Sequence, residues 1–432
     1  MDRQIFVYVD LDNAHHLVGR LWLRVRNRTE GATFQYDANW LQSPERFALE
    51  PALQMDEAPY HTDAGKRLFG AIGDSAPDRW GRALMMRAEA RRERKAGEAP
   101  RTLWEADYLL MVDDETRQGA LRFAEAEGGP FLRQIVDHRT PPLIELPALL
   151  AASEHVYDEV ESAEDLRLLL APGSSLGGAR PKASVRDRDG SLAMAKFPHH
   201  ADRISTVLWE ALALKLASAA GINAAVGRVE RVAGRPVFLL RRFDREGSKR
   251  QPFLSAMNML GAVDHETRSY LEIADAIQRY GAVPSEDLHE LWRRIVFSVL
   301  ISNTDDHLRN HGFLYEGNRG WRLSPAYDLN PVPVQFRPRI LSTLIDERSG
   351  DASLELALSV AEYFRLTQVQ AGRAAYEVAK AVSHWRQEAA ALGIAATEIN
   401  LMASAFEHDD LIRANAMKSG IRPLQRSAMN RT

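Results

Sequence analysis

The segment from residue 286 to residue 331 constrains the fold of this 432-residue chain most strongly, because four patterns follow one another in it. Apolar residues at helical spacing predict a helix that ends near Ser302. A polar loop at 303–310 comes next, then two short apolar strands within 313–323, and then Asp328. A hairpin turns the chain back on itself, so this order predicts that Asp328 returns to the same cleft as the loop.

The loop carries two residue types that phosphoryl-transfer enzymes use at a fixed spacing. Asp305 and Asn310 stand five positions apart. In kinase catalytic loops this spacing separates an aspartate that accepts the hydroxyl proton from an asparagine that binds metal. Asp328 adds a carboxylate that can bind the magnesium ion bridging the phosphates of ATP, because hard cations prefer oxygen ligands. Together the three residues predict a kinase-type site.

Each of these residues also has a purely structural interpretation. Asp305 can cap a helix end, and Asp328 can form a turn before Asn330. A metal site made of Asp305, His307 and His311 is a further alternative, since the two histidines stand four positions apart. We favour hydrogen-bonding roles for both imidazoles, because no third nitrogen or sulfur ligand lies nearby in the sequence.

A second feature is a loop rich in glycine and serine at residues 172–182, which can bring backbone N–H groups against phosphates. It fits neither the Walker A spacing nor G-x-G-x-x-G, and alone it would indicate a surface loop. It leads into a predicted hairpin, in which 183–186 pairs with 191–197. That register places Lys196 beside residues 180–182, where its ammonium can contact phosphates. An edge-strand lysine that faces water is the alternative.

Length and composition limit the classes of function. A chain of 432 residues exceeds what one core usually organises, so two or three domains or lobes are expected. Fifty-five basic and 59 acidic residues exclude a general polyanion-binding surface. The lack of cysteine excludes disulfides, thiolate zinc sites and a cysteine nucleophile. Because we recognise neither a signal peptide nor a membrane span, we expect a cytoplasmic protein that makes no membrane contact.

The pattern along the chain predicts three parts. Residues 1 to about 65 alternate as strands do, and a helical pattern with a basic stripe begins at Asp78. We interpret the stripe as a solvated helix face, because glutamates interrupt it. The predicted division is 1–140 for an N-terminal subdomain, 141–250 for a small lobe with the loop and hinge, and 251–432 for a helical C-terminal lobe.

Five motifs occur in order: Ser-Ser-Leu-Gly-Gly-Ala-Arg-Pro-Lys (174–182), Ala-Lys-Phe-Pro (195–198), Arg-Arg-Phe-Asp-Arg (241–245), Asn-Thr-Asp-Asp-His-Leu-Arg-Asn (303–310) and Tyr-Asp-Leu-Asn-Pro (327–331). Their order resembles that of the HipA-like serine/threonine protein kinases, the toxin components of type II toxin–antitoxin systems. The stretch Gly-Ala-Ile-Gly-Asp-Ser-Ala-Pro-Asp-Arg-Trp-Gly (70–81) is similar to the N-terminal signature of that family. The resemblance therefore covers nearly the whole chain.

The resemblance implies an α+β protein with a two-lobed protein-kinase-like fold, a β-rich N-terminal subdomain and a helical C-terminal lobe. It implies ATP and Mg²⁺ as cofactors, Asp305 as the catalytic base, and Asn310 and Asp328 as the metal ligands. The implied nucleotide-binding residues are Ser175, Gly177, Gly178, Ala179, Lys182, Lys196, Arg241, Phe243 and Asp244.

Two further residues follow from the same resemblance. Ser175 matches the loop serine at which family members phosphorylate themselves, an event that expels the loop and stops activity; Ser174 beside it is the alternative. Glu210, on the helix after Lys196, is a candidate ion-pair partner of that lysine by analogy with kinases. An ordinary surface glutamate is equally compatible with the sequence.

The resemblance also implies partners. It makes the chain a toxin-type kinase with a protein substrate, for which aminoacyl-tRNA synthetases are examples, and with a DNA-binding antitoxin. Contact with DNA would be local or would pass through that partner. A small-molecule or lipid kinase remains an alternative, because phosphoryl-transfer motifs do not encode the acceptor. A non-catalytic nucleotide-binding partner in a regulatory DNA complex is another, given five basic residues and no acid after Asp410.

Overall fold

The N-terminal region is built on a twisted antiparallel sheet. The computed structural model describes residues 2–26, 29–63, 65–99, 101–131, 140–170, 178 and 180–417. The sheet of the N-terminal region consists of β1 (Asp2–Leu11), β2 (Ala14–Arg26), β3 (Thr29–Tyr36), β4 (Tyr60–His61) and β5 (Leu121–Ala124). The spatial order of these strands is β4-β3-β2-β1-β5. β3 alternates buried and half-buried residues as a one-sided strand should. The predicted β-rich start of the chain is confirmed.

Four helices accompany this sheet: α1 (Ala38–Gln42), α2 (Gly70–Asp74), α3 (Arg79–Ala96) and α4 (Glu105–Met111). α3 begins where the sequence predicts, because the Asp78 side chain caps it by accepting a hydrogen bond from the Gly81 N–H, and it ends at Gly97 in the left-handed region. Part of the basic stripe is not merely solvated. Arg82 forms a bidentate pair with Glu105, and other arginines of the stripe pair with acids around them.

The middle of the chain forms a four-stranded antiparallel sheet with the spatial order β6-β7-β9-β8. Its elements are α5 (Leu146–Tyr157), α6 (Ala163–Leu170), β6 (Lys182–Arg186), β7 (Leu192–Lys196), α7 (Thr206–Ala219), β8 (Gly227–Val232) and β9 (Arg235–Arg241). A short 3₁₀ turn (Leu143–Glu145) precedes α5. The β6–β7 hairpin and its register, with Lys182 opposite Lys196, are confirmed.

The two faces of this sheet belong to two different hydrophobic clusters. Ala183 and Ala195 pack in a cluster with Trp80 and Leu84 of α3 and with apolar residues of α5 and α6. Met194, one position along β7, faces the opposite side and packs in the main cluster with α7, the N-terminal sheet and the C-terminal helices. The period-two geometry of a strand therefore joins two cores through one layer of backbone.

The C-terminal part is mostly helical, as predicted. After a small hairpin of β10 (Arg245–Glu246) and β11 (Lys249–Arg250), it contains β12 (Phe253–Ser255), α8 (Ala256–Met259), α9 (Tyr270–Tyr280), α10 (Pro284–Ile301), β13 (Gly312–Tyr315), β14 (Trp321–Leu323), α11 (Leu354–Ser359), α12 (Gln368–Val382), α13 (Trp385–Ala391), α14 (Ala396–Leu401), α15 (Ala403–Phe406) and α16 (Asp409–Ala416). Short 3₁₀ turns lie at Leu308–Asn310, Gly317–Arg319 and Ala361–Phe364. The predicted order of helix, loop, hairpin and acid is confirmed by α10, β13, β14 and Asp328.

No helix among the described residues combines the length and the apolar character needed to cross a lipid bilayer. Most of the basic C-terminal tail noted in the sequence, from Lys418 onward, lies outside the described residues.

A buried carboxyl group holds α2 in the core. Glu50 is 6% exposed, and its Oε2 accepts a hydrogen bond from the Ala71 N–H at 2.5 Å, at the start of α2. Burial raises the pKa of the Glu50 carboxyl to about 7, and the nearby Asp74 carboxylate raises this pKa further while backbone N–H groups oppose the change. The folded protein therefore holds a proton at Glu50 that the unfolded chain releases at lower pH.

We expect Glu50→Gln to remove a pH dependence of stability. A carboxyl whose pKa is raised in the folded state contributes fully below its unfolded pKa, and this contribution is lost as the pH rises through the folded pKa near 7. The free energy of unfolding of the wild type should fall by about 3 kcal/mol from this group between pH 4.5 and pH 8. Urea unfolding at both pH values should show that the variant lacks this fall, whereas Glu57→Gln, at an exposed site, should keep it. Identical pH slopes for wild type and Glu50→Gln would rule the effect out.

Candidate active site

Lys196 lies where the small-lobe sheet, α7 and the C-terminal part of the chain meet. It is the last residue of β7, and its Nζ lies 2.6 Å from Oε1 of Glu210 and 3.2 Å from Oδ1 of Asp328. Glu210 is buried on the face of α7 that packs against the sheet. The ion-pair partner suggested by kinase analogy is therefore in contact with Lys196. The alternative of a lysine that faces water is wrong, because the Lys196 side chain is 16% exposed.

The charges of this cluster stabilise one another. Burial acts to lower the pKa of Lys196, but the Asp328 and Glu210 carboxylates outweigh it and raise that pKa above its usual value. Burial likewise acts to raise the pKa of Asp328, and the Lys196 ammonium reverses this and holds the pKa below its usual value. Lys196 and Asp328 are therefore both ionised at neutral pH.

Asp328 adopts a backbone conformation that few non-glycine residues adopt. Its φ of 56° lies in the left-handed region, which costs about 1–3 kcal/mol where the surroundings must enforce it. Asn330 holds it, because the Nδ2 of Asn330 donates to Oδ1 of Asp328 at 3.2 Å and its backbone N–H donates to Oδ1 of Asn303 at 3.0 Å. Asn303 opens the loop that contains Asp305. The two motifs predicted to share a cleft are thus joined by direct hydrogen bonds.

The predicted catalytic residue lies at the open edge of this arrangement. The Asp305 side chain is 61% exposed, and its Oδ1 lies 3.0 Å from Nη1 of Arg337. Asn310 is buried nearby, and its Nδ2 donates to the Asp305 backbone carbonyl at 3.1 Å. The loop is therefore closed on itself by Asn310, with the Asp305 carboxylate directed to solvent and to an arginine.

Asp306, the neighbour of Asp305, anchors the loop. It is 2% exposed and accepts hydrogen bonds from the Tyr270 hydroxyl and from Oγ of Ser298, the latter at 3.2 Å. Nε2 of His311 lies 3.0 Å from its other oxygen. This contact fits the structural interpretation of His311. Among the described residues, the ligand atoms of Asp305, His307 and His311 do not come together as a metal-binding group. The loop is fixed by Asp306, which frees Asp305 for another task.

A second cluster of possible metal ligands lies elsewhere. In the part of the chain that the structure describes, the ligand atoms of Asp158, His199 and His200 lie within 4.8 Å of one another. Nδ1 of His199, however, accepts a hydrogen bond from the Ala201 N–H at 3.0 Å. A neutral imidazole that accepts at Nδ1 carries its proton on Nε2, so His199 offers no free lone pair. We assign no metal to this cluster.

Lys182, a predicted nucleotide-binding residue, contacts a carboxylate of the N-terminal region and the glycine- and serine-rich loop. Its Nζ lies 2.7 Å from Oδ2 of Asp78 and 3.2 Å from the Gly178 carbonyl oxygen, and it is 4% exposed. Gly178 itself has a φ of 91°, which favours glycine. Ser174, Ser175, Gly177 and Ala179 lie outside the described residues.

The predicted nucleotide-binding residues at positions 241–244 divide into two groups. Arg241 ends β9 and is exposed, and the Phe243 ring lies 5.5 Å from the Tyr327 ring, next to Asp328. Asp244, in contrast, is 1% exposed, and its carboxylate accepts hydrogen bonds from Arg242, from Arg245 and from the Gly119 N–H. The structure therefore gives the Asp244 side chain a structural role in place of the predicted nucleotide contact, because both of its oxygens are already engaged.

Family comparisons agree with this geometry. A model of the HipA-like C-terminal domain matches residues 174–404, more than half of the chain, and a model of the HipA N-terminal domain matches residues 9–101. The chain belongs to the HipA family. The N-terminal match includes Asp78, and the C-terminal match includes Lys196, Glu210 and Asp328.

Relatives and solved structures extend the comparison. The HipA-family chain is 31% identical over 131 residues to a Haemophilus influenzae protein named "Putative kinase", which covers 27% of this chain and 38% of that protein. It is 23% identical over 333 residues to "Putative kinase Y4mE" of Sinorhizobium fredii, covering 68% of this chain and 71% of that protein. The HipA chain of a Shewanella oneidensis complex with HipB and operator DNA matches with a TM-score of 0.63 at 15% identity, over 96% of both chains. The HipA fold, and with it the predicted α+β two-lobed architecture, is confirmed.

Sequence reasoning missed three contacts of the site. The position of Asp78 before α3 indicates a helix cap. Its contact with Lys182 cannot be predicted from the sequence, because 104 residues separate the two. Asn330 carries a weak signal in the pattern Asp-Leu-Asn-Pro, where an asparagine side chain can bond locally. Arg337 lies in an irregular stretch rich in proline and arginine and reads only as surface.

We expect Lys196→Met to destabilise the fold, because it leaves the Glu210 and Asp328 carboxylates facing each other without a cation. Removing one partner of a buried pair typically costs about 3–5 kcal/mol. Lys215→Met, which removes an exposed lysine paired with Glu388, should cost less than about 1 kcal/mol. Chemical unfolding of both variants checks this, and equal losses would show that the cluster contributes no more than a surface pair.

Proposed function

We propose that this chain is an ATP- and magnesium-dependent serine/threonine protein kinase of the HipA type. The observation that carries the proposal is the contact of Lys196 with both Glu210 and Asp328, beside a loop that presents Asp305 and Asn310. This set matches the parts from which protein kinases are built: a strand lysine, its helix glutamate, a metal-binding aspartate and a catalytic loop. The relatives named as kinases support the same activity.

The donor set fits a magnesium nucleotide. Around Lys196 and Lys182 stand three carboxyl groups, those of Asp78, Glu210 and Asp328. Asp328 and the side-chain oxygen of Asn310 are hard ligands of the kind that Mg²⁺ prefers. When bound, magnesium ATP supplies the phosphoryl group and neutralises the charge of its phosphates. Lys196, already charged and held by Glu210, would contact those phosphates.

Asp305 has the position that a general base for a protein substrate requires. Its carboxylate is accessible from solvent, so a serine or threonine side chain can approach it and transfer its hydroxyl proton to a carboxylate oxygen. Arg337 orients that carboxylate from the outer side, and Asn310 fixes the loop from the inner side. A base held in this way favours in-line attack by positioning more than by basicity.

Regulation and partners follow from the family. We propose that the chain acts as a toxin in the cytoplasm, that it phosphorylates a protein such as an aminoacyl-tRNA synthetase, and that a DNA-binding antitoxin binds it. The Shewanella HipA, which was solved with HipB and operator DNA, supports such a partner. The near balance of acidic and basic residues supports contact with DNA through the partner more than through a broad surface of this chain.

We expect Asp305→Asn to abolish phosphoryl transfer and to leave ATP binding intact, because the base is lost while Lys196 and the metal ligands remain. Transfer of radiolabel from ATP, with and without magnesium, to the chain itself and to lysate proteins measures the first property, and equilibrium nucleotide binding measures the second. Asp409→Asn, an exposed aspartate at the start of α16, is the matched control and should keep full activity.

The outcome of that labelling experiment also separates the candidate functions. Wild-type turnover by Asp305→Asn would remove Asp305 from the mechanism. If the label passes only to small molecules or lipids, the chain is a small-molecule or lipid kinase and not a protein kinase. If the chain binds nucleotide but transfers no label, it is a non-catalytic nucleotide-binding partner.

We expect phosphate on Ser175 to inactivate the chain. A phosphoserine adds about −1.5 to −2 charges at neutral pH where the phosphates of the nucleotide would bind, so both cannot use the same donors. Ser175→Asp should weaken ATP binding, and Ser175→Ala should stay active through a progress curve in which the wild type slows. Mass-spectrometric mapping after incubation with magnesium ATP identifies the modified residue. Label at Ser174 would move the assignment to that serine.

A further inference from the structure

A short segment of the N-terminal region touches both sides of the candidate site. The bridging segment, residues 74–78, runs from the last residue of α2 to the residue that caps α3. Each end is an aspartate, and Pro77 restricts the backbone just before the second one. The two aspartates bind different parts of the molecule.

Asp74 binds the part of the chain that carries the catalytic loop. It is 9% exposed, and it accepts hydrogen bonds from the Ser255 N–H at 2.7 Å and from the Ser255 hydroxyl at 2.9 Å. Ser255 pairs with Gly312 across β12 and β13, two residues beyond Asn310. This end of the bridging segment is therefore fixed to the strand that begins where the loop ends.

Asp78 binds the strand that follows the glycine- and serine-rich loop. Its Oδ2 lies 2.7 Å from Nζ of Lys182, and both side chains are 5% exposed. The neighbouring Trp80 ring N–H donates to the Lys182 backbone carbonyl at 3.0 Å, so the same residue is held at two points. Lys182 in turn pairs with Lys196 in the hairpin register. Asp78 thus lies one strand away from the lysine of the candidate site.

Packing follows the same division. Ile72 and Ala76, before Asp78, belong to the main hydrophobic cluster, whereas Trp80 and Leu84, after it, belong to the cluster on the outer face of the small-lobe sheet. The bridging segment is therefore the place where the chain passes from one cluster to the other. A side-chain carboxyl group is held by hydrogen bonds at each end of the segment.

We propose that the bridging segment fixes the distance between the small-lobe sheet and the catalytic loop, and that Asp78 is a positioning residue that acts through Lys182. The N-terminal region is then part of the phosphoryl-transfer machinery and not an appended domain. Its role in activity rests on the proposed kinase function, but its role in holding the two sides together does not. Because a tether works only when both ends are attached, loss of either end should have the effect of losing both.

The test measures the separation of the two sides directly. The chain has no cysteine, so spin labels can be attached at Arg188→Cys in the β6–β7 turn and at Val369→Cys on α12, both exposed positions. Pulsed electron paramagnetic resonance should give a narrow distance distribution in the otherwise wild-type chain. Asp78→Asn and Asp74→Asn should each broaden it, and the double variant should be no broader than the broader single variant. Asp12→Asn, which removes an exposed pair with Lys249, should leave it narrow.

A further variant separates positioning from stability. Asp78→Asn leaves Lys182 buried without a partner, whereas Asp78→Asn with Lys182→Met removes both charges and should restore the unfolding midpoint. The distribution of this double variant should nevertheless stay broad. The proposal would be overturned by a narrow distance distribution in Asp78→Asn, in Asp74→Asn or in the variant that combines Asp78→Asn with Lys182→Met. It would also be overturned if the broadening in the Asp74→Asn, Asp78→Asn double variant equalled the sum of the two single effects.

Activity measurements then connect the bridging segment to the reaction. If the closed arrangement is populated about a tenth of the time in Asp78→Asn, apparent affinity for magnesium ATP should fall about tenfold. Asp78→Glu, which keeps the charge, should recover part of that loss. Unchanged nucleotide affinity in Asp78→Asn with a broadened distance would overturn the positioning role of Asp78. The distance distributions could follow the expected pattern while the wild-type chain shows no phosphoryl transfer. That result would reject the kinase function and leave the role of the bridging segment in place.

Discussion

The ion cluster around Lys196 is the interaction on which the rest of the site depends. One ammonium holds a carboxylate from α7 and a carboxylate from the turn after β14, so a strand, a helix and a loop from three parts of the chain are fixed at a single point. Burial opposes the charged form of each of these groups, and the attraction between Lys196 and Asp328 favours the charged form of both. The same interactions hold Asp328 in its left-handed backbone conformation, because Lys196 and Asn330 both donate to its Oδ1.

Most of the local structure was predictable because it depends on neighbours in sequence. The β6–β7 register follows from a four-residue turn, and the return of Asp328 to the loop follows from the length of the β13–β14 hairpin. The family motifs located Lys196, Asp305, Asn310 and Asp328. What could not be predicted is how charges far apart in sequence select one another. Asp244 shows this, because its motif position suggested a ligand contact whereas Gly119 and two arginines already occupy it.

The environment of Asp244 also explains why residues 242–250 are tied to the N-terminal region. Arg245 donates to the backbone carbonyls of Arg117 and Gly119, and Arg250 donates to the Asp114 carbonyl. Burial lowers the pKa of Arg245 to about 9, and the Asp244 carboxylate opposes this change. These arginines use their forked geometry to satisfy carbonyl groups of a loop that would otherwise be buried without partners. The segment that connects the two lobes is therefore stabilised by contacts with residues more than a hundred positions earlier in the sequence.

The positions of the paired charges along the chain have a consequence for synthesis, which proceeds from the N-terminus. Asp78 leaves the ribosome before Lys182, and Glu210 follows Lys196 by only 14 residues. Lys182 and Lys196 therefore each have a carboxylate partner before the catalytic loop exists. Asp328, which is made 132 residues after Lys196, is the acid that completes the site. A nascent chain can thus pair Lys182 and Lys196 with carboxylates early, while the complete site forms only after Asp328 has been made.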